Sequence, residues 1–176
     1  MFERTDLPLI EVSIADQALR LSTPKACHLY PVSTAAKGMG ERNGSHQTPR
    51  GWHRVRACIG ESAALGAVFV GRRATGEIYN HRLAQQFPKR DWILSRILWL
   101  QGLEVGFNRG NGVDSQRRYI YIHGTPDSEP MGEPRSHGCI RMRNKDVVAL
   151  FDQVRAGTLV WIQPHSFSSI PCRNLS

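Results

Sequence analysis

From residue 10 onward apolar and polar positions alternate with a period of two: Ile10, Val12 and Ile14 are separated by Glu11 and Ser13, the pattern of a strand with one buried face. Residues 18–21 and 27–32 continue in β-prone side chains, and residues 52–59 resume after a long break, which outlines a β-meander. The break, AAKGMGERNGSHQTPRG, gathers Gly38, Gly40, Asn43, Gly44, Pro49 and Gly51. These residues either admit positive φ or fix φ, so a flexible loop is predicted, and a loop of that length in a compact domain is often functional. Residues 65–70 predict another strand, followed by a turn over 71–76. Residues 92–100, WILSRILWL, fit neither period cleanly; Trp and Ile near the ends and Gly102 beyond tip the segment towards strand. Residues 119–122, YIYI, predict a strong strand that delivers His123 to its end. The clearest helix is 144–154, with Asn144 able to cap it, Val147, Val148, Leu150, Phe151 and Val154 on one face, and Gly157 ending it. Residues 158–163, TLVWIQ, close the pattern as a strand, and no internal repeat or low-complexity tract interrupts it.

Composition narrows the class. The chain has 176 residues, of which 40% are hydrophobic and 22% charged, as in ordinary globular domains. One domain with a single core is predicted, the core over about 9–163 and a C-terminal tail over 164–176. The net charge of +8 comes mainly from arginines scattered from Arg4 to Arg173. Without an RNP-like aromatic strand, a zinc finger or a basic helix, that charge does not point to nucleic acid. It suits a solvated surface or attraction of an anionic small substrate.

Glu3, Arg4 and Asp6 break up any secretory apolar run near Met1, and no stretch approaches the roughly 20 apolar residues of a membrane span. A cytoplasmic, membrane-free monomer is therefore expected, or a periplasmic one if a leader has been removed. Cys27, Cys58, Cys139 and Cys172 form no CxxC pair. Cys27 and Cys58 are expected to be small buried hydrophobes, with nothing that asks for an oxidising compartment.

The chemistry concentrates in residues 121–142, YIHGTPDSEPMGEPRSHGCIRM, which hold two His-Gly pairs, the second running into a cysteine. A thiol becomes a competent nucleophile beside a base, on a tight turn whose N–H groups face the reacting carbonyl. Residues 136–139 offer such a turn, with Gly138 allowing close approach and the N–H groups of Gly138 and Cys139 as oxyanion donors. Two bases are available. His137 is two residues from Cys139, where alternate side chains diverge, whereas His123 at a strand end can approach across the fold. His123 is thus favoured as base and acid, its other nitrogen held by a carbonyl such as that of Gly124, and His137 as an orienting or intermediate-stabilising residue. A zinc site of His123, His137 and Cys139 is the competing reading, but H-x-C is not a usual zinc spacing. The remaining histidines, His28, His46, His53, His81 and His165, read as ordinary core or surface residues.

HGT followed by SHGCIRM, with TPRG upstream, resembles the catalytic domain of the L,D-transpeptidases, the YkuD family of cell-wall cysteine enzymes. The resemblance covers nearly the whole chain. It implies a mainly β fold, a sandwich or open barrel with one or two short helices, including one after the cysteine. It also implies a thioester intermediate on Cys139, His123 as base, and Ser136, His137 and Gly138 completing the motif, with no cofactor and no metal. Two residues after the cysteine many relatives carry asparagine, whereas this chain has Arg141, a residue able to clamp a substrate carboxylate or to serve as a surface charge. The implied donor is a murein tetrapeptide or muropeptide cleaved between diaminopimelate and D-alanine, and the acceptor is water or an amine such as a D-amino acid. With no leader, the favoured expectation is an L,D-carboxypeptidase of peptidoglycan recycling. An exported crosslinking transpeptidase and a non-catalytic murein-binding module are the alternatives.

Overall fold

Residues 7–167 are described by the computed structural model and form ten strands and two short helices. Strands β1 (Leu9–Ser13), β2 (Ala18–Ser22) and β3 (Cys27–Pro31) make the expected antiparallel meander. Strand β10 (Leu159–Gln163) lies parallel to β1 and antiparallel to β4 (Gly51–Ile59), so the last strand is inserted between the first and the fourth. Strand β7 (Ile93–Gly102) is the hub. One edge is shared between β4 and β5 (Ala67–Val70), and the other carries β8 (Tyr121–Thr125). Strand β6 (Arg73–Ile78) pairs with β5, and β9 (Ile140–Arg143) runs parallel to β8. Helices α1 (His81–Gln86) and α2 (Asn144–Phe151) complete a mainly β fold, with α2 packed on β7, β8 and β9.

The period-two pattern decides what is buried. Ile10, Val12, Leu19, Leu21, Val160 and Ile162 are closed from solvent, as are Leu98, Leu100, Ile122, Ile140 and Met142. Val147 and Leu150 of α2 cover this layer. Each such side chain contributes about 1.5–3 kcal/mol on burial.

Several local expectations are corrected. The turn expected over 71–76 is confined to Gly71 and Arg72, after which β6 begins. His123 sits mid-strand in β8, not at a strand end, because Tyr119 and Ile120 precede the strand. Asn144 does not cap α2. Arg143 holds the N-cap position without a side-chain bond, and the buried Asn144 instead accepts from Ser95 Oγ (2.6 Å) and donates to the Thr125 carbonyl (2.9 Å), joining β7 to β8. The loop over 35–51 is tied down: Arg50 grips Glu41 through Nε (2.7 Å) and Nη2 (3.1 Å), and Arg118 donates to the carbonyls of Gly40, Glu41 and Gln47. Cys27 is half-buried and disulfide-bonded rather than a lone thiol, whereas Cys58 and Cys139 are free. Cys172, residues 168–176 of the expected tail and residues 1–6 lie outside the described residues. Among the described residues no helix is long and apolar enough to cross a membrane.

Candidate active site

Register decides which side chains meet. Strand β8 places Ile122 opposite Ile140 and His123 opposite Arg141, while β7 sets Trp99 against Tyr121 and Ile97 against His123. Side chains alternate across a sheet. Trp99, Ile97, Tyr121, His123 and Arg141 therefore share one face, and Leu98, Ile122 and Ile140 point into the main core. On the first face opens a cavity of about 520 Å³, lined among others by Arg72, Tyr119, Tyr121, His137, Cys139 and Arg141.

Cys139 ends a turn held from three sides. Ser136 Oγ donates to the Cys139 carbonyl at 2.5 Å and accepts the Gly138 N–H at 3.2 Å. The Ser136 N–H donates to Thr34, and the Ala36 N–H donates to the Ser136 carbonyl, so the turn is sewn to the segment after β3. From the tied loop, the buried Thr48 donates through Oγ1 to the Gly138 carbonyl at 3.0 Å. Gly138 has φ 133, in the left-handed half of the map, where a side chain would be strained and would press on Gln47 and Ile120 at 3.3 Å. Its N–H donates to Ser136 Oγ, which leaves it less available to an oxyanion than the Cys139 N–H, the other donor of the expected pair.

The sulfur is half-buried and turned towards β8: it accepts the Tyr121 N–H at 3.4 Å and donates to the Tyr119 carbonyl at 3.5 Å. Burial, opposed by the Tyr121 N–H, raised further by Asp91 and opposed again by Arg141 and Arg118, pushes the thiol up to about 12. At pH 7 such a thiol stays protonated, so attack has to be accompanied by proton transfer to a base.

His123 suits that task. It is closed from solvent on the face that holds Tyr121, and its Nδ1 lies 2.7 Å from the Gly124 carbonyl. A carbonyl only accepts, so Nδ1 carries the proton and Nε2 keeps its lone pair. Burial lowers the His123 pKa, against the Gly124 bond and Asp91, which raise it. The imidazole is thus neutral at pH 7. Gly124 is required by space: a Cβ there would stand 2.5 Å from the Leu94 carbonyl oxygen and 2.6 Å from Asn144 Oδ1.

His137 is placed differently. It is mostly exposed at the cavity wall, 3.5 Å from Asp91 through Nδ1, with its ring edge-on to His46. Arg141 is buried, contrary to the surface-charge reading, and is paired with Asp91 at 2.7 Å and Glu129 at 3.6 Å. Burial pushes the Asp91 carboxyl up, but Arg141, His123 and His137 outweigh it and hold it below its ordinary value. No signal in the sequence singles out Asp91, Arg118 or Thr48, since each acts through contacts far along the chain. Thr48 is visible only as the first residue of TPRG. Among the described residues, no group of three His, Cys, Asp or Glu side chains is arranged to hold a metal ion.

The family model for the L,D-transpeptidase catalytic domain, YkuD, matches residues 8–162. The chain is 45% identical over 58 residues to YqjB of Bacillus subtilis, a match covering 33% of this chain and 31% of that protein. It is 45% identical over 56 residues to ErfK/SrfK of Escherichia coli, covering 31% and 18%. Both relatives carry L,D-transpeptidase in their names, and the match spans less than a third of either. L,D-transpeptidase 3 of Mycobacterium tuberculosis, solved in complex with a faropenem-derived adduct, superposes with a TM-score of 0.55 at 15% identity, over 89% of this chain and 60% of that one. At that identity the likeness is one of fold.

Proposed function

The chain belongs to the L,D-transpeptidase catalytic domain family, and on that footing we propose that it performs cysteine-mediated acyl transfer on peptidoglycan stem peptides, acting as an L,D-carboxypeptidase. The observation that supports the reading is a buried, Nδ1-protonated His123 two residues along β8 from Tyr121, whose backbone N–H meets the Cys139 sulfur. Cys139 Sγ attacks the carbonyl between the L-centre of diaminopimelate and the terminal D-alanine while His123 Nε2 takes the thiol proton. The C–N bond breaks, His123 returns the proton to the leaving amine, and a thioester remains on Cys139. Water, activated by the same imidazole, then releases the tripeptide acid and the thiol. The opening of the cavity at Cys139 gives water access to the thioester. In the cytoplasm this reaction would serve muropeptide recycling.

The second reading is an exported transpeptidase, in which an amine of another stem replaces water. One observation favours it: Cys27 is disulfide-bonded, and disulfides persist mainly in oxidising compartments. Mass spectrometry of products from a diaminopimelate tetrapeptide, with and without excess D-amino acid, decides between the two. Tripeptide as the main product under both conditions supports hydrolysis, and exchanged or dimeric peptide overturns it. Cys139→Ala is expected to abolish turnover with the fold retained; wild-type turnover in that variant removes the proposal. Because a protein of the same fold carries a faropenem-derived adduct, a penem or carbapenem is expected to acylate Cys139, and an adduct on Cys58 alone contradicts this.

A further inference from the structure

We propose that Arg72 binds a carboxylate of the donor substrate at the wall of the Cys139 cavity. The inference rests on the reading of Cys139 as nucleophile and names what the same cavity recognises. Two arginines line it, in opposite electrostatic states. Arg141 is neutralised by Asp91 and Glu129. Arg72 has no carboxylate within ion-pair distance among the described residues.

Arg72 is also held in place. It occupies the β5–β6 turn, where Gly71 and Arg72 both take positive φ, 54 and 66, a backbone state that costs a non-glycine residue about 1 kcal/mol. From there its guanidinium lies 4.6 Å from the Trp99 ring centre and 4.9 Å from that of Tyr119. Nη1 donates to the Tyr121 hydroxyl at 3.0 Å. Tyr121 is the residue whose backbone N–H meets the Cys139 sulfur, so one residue anchors both the cation and the nucleophile. A guanidinium pinned on aromatic faces, and lacking an anion of its own, is organised in advance for two-pronged capture of a carboxylate.

The donor offers two such groups: the C-terminal carboxylate of the departing D-alanine and the free carboxylate at the D-centre of diaminopimelate. The test measures kcat/KM of the whole protein for the free tetrapeptide, its C-terminal amide and its diaminopimelate side-chain amide, in wild type, Arg72→Lys and Arg72→Gln. Arg72→Gln is expected to cost about 10- to 100-fold on the free tetrapeptide, the loss of one charge-assisted contact. Arg72→Lys should recover only part, because lysine lacks the planar fork. The amide that is already poor for wild type, and loses nothing further in Arg72→Gln, identifies the carboxylate bound. Equal loss on all three donors, or no loss, overturns the inference. Calorimetric binding of the free tetrapeptide to Cys139→Ala, with and without Arg72→Gln, supplies a readout free of chemistry, and equal affinities there also overturn it. Turnover that survives Cys139→Ala sinks the reading of the nucleophile, whereas wild-type turnover that ignores Arg72→Gln sinks only the role of Arg72.

Discussion

His123-Gly124 and His137-Gly138 are the same dipeptide in opposite surroundings. The first lies within β8, closed from solvent, with its imidazole proton fixed on the Gly124 carbonyl. The second lies on a turn, with its ring largely in water and a single 3.5 Å approach to Asp91. A base must be unprotonated at the working pH and in a defined tautomer; burial supplies the first and the Gly124 carbonyl the second. The exposed pair supplies shape: Gly138 lets the chain turn so that Cys139 meets β8. The largest expected effect follows from this asymmetry. His123→Ala should lower kcat by about 10²–10⁴, the usual worth of a positioned base, while His137→Ala should cost no more than about tenfold. Equal losses in the two variants, with unchanged melting temperatures, would erase the distinction.

The pH profile probes the same contrast. Protonating His123 removes the base, so kcat/KM falls as pH falls. Because burial holds its pKa below 6.5, the plateau should reach into mildly acidic pH before the drop begins. A limb centred at or above 6.5 would rule out His123 as the group that titrates. Buried His53 tests stability in isolation from chemistry. Its Nδ1 donates to the Gly51 carbonyl (3.0 Å), its Nε2 accepts from Ser115 (2.9 Å), and burial lowers its pKa to about 4. Between pH 6.5 and 4 the unfolded chain binds a proton there that the folded chain refuses, so stability declines across that window by about 3 kcal/mol and levels off below it. Denaturant midpoints read at several pH values should show this decline, and His53→Gln should reduce it, leaving the smaller part due to buried His123.

The two glycines sharpen the comparison on a smaller scale. Gly124→Ala drives a Cβ into the Leu94 carbonyl and the braced Asn144, neither of which can yield cheaply. A loss of about 2–3 kcal/mol is expected. Gly138→Ala meets its neighbours at 3.3 Å, so activity should suffer more than the melting temperature. A Gly124→Ala protein as stable as wild type would show that β7 and β8 are looser than they stand.

The same contrast explains what could be read without a structure. Contiguous features were legible: the SHGC turn, the Gly124 carbonyl as partner of the His123 ring and the mainly β class all follow from residues close together or from a period-two pattern. Residues 92–100 fit no period because β7 carries an irregularity between Leu94 and Ile97, with Ser95 at φ 66, which shifts the alternation partway along the strand. Asn144 read as a helix cap because capping is the commonest use of that residue at that position. Its bonds to Ser95 and Thr125 depend on strands 49 and 19 residues away. Loop 35–51 read as flexible from its glycines, since the arginine that joins it to the rest of the fold, Arg118, lies in another part of the chain. Asp91 was invisible for the same reason.

Thr48 gives the finest test, because it supports the exposed pair alone. Its hydroxyl oxygen accepts the Ala35 N–H and donates to the Gly138 carbonyl, both at 3.0 Å, with no solvent contact. Thr48→Val keeps the shape and removes the bridge, leaving a buried N–H and a buried carbonyl without their partner. The expected cost is about 1–3 kcal/mol in stability. A fall of about tenfold or less in turnover should accompany it, as the turn bearing Cys139 loosens by a fraction of an ångström. Nothing in this change touches β8, so the acid limb set by His123 should stay where it is. A shift of that limb in Thr48→Val would mean that the turn and the buried imidazole titrate as one unit, and that the two His-Gly pairs are coupled through Cys139.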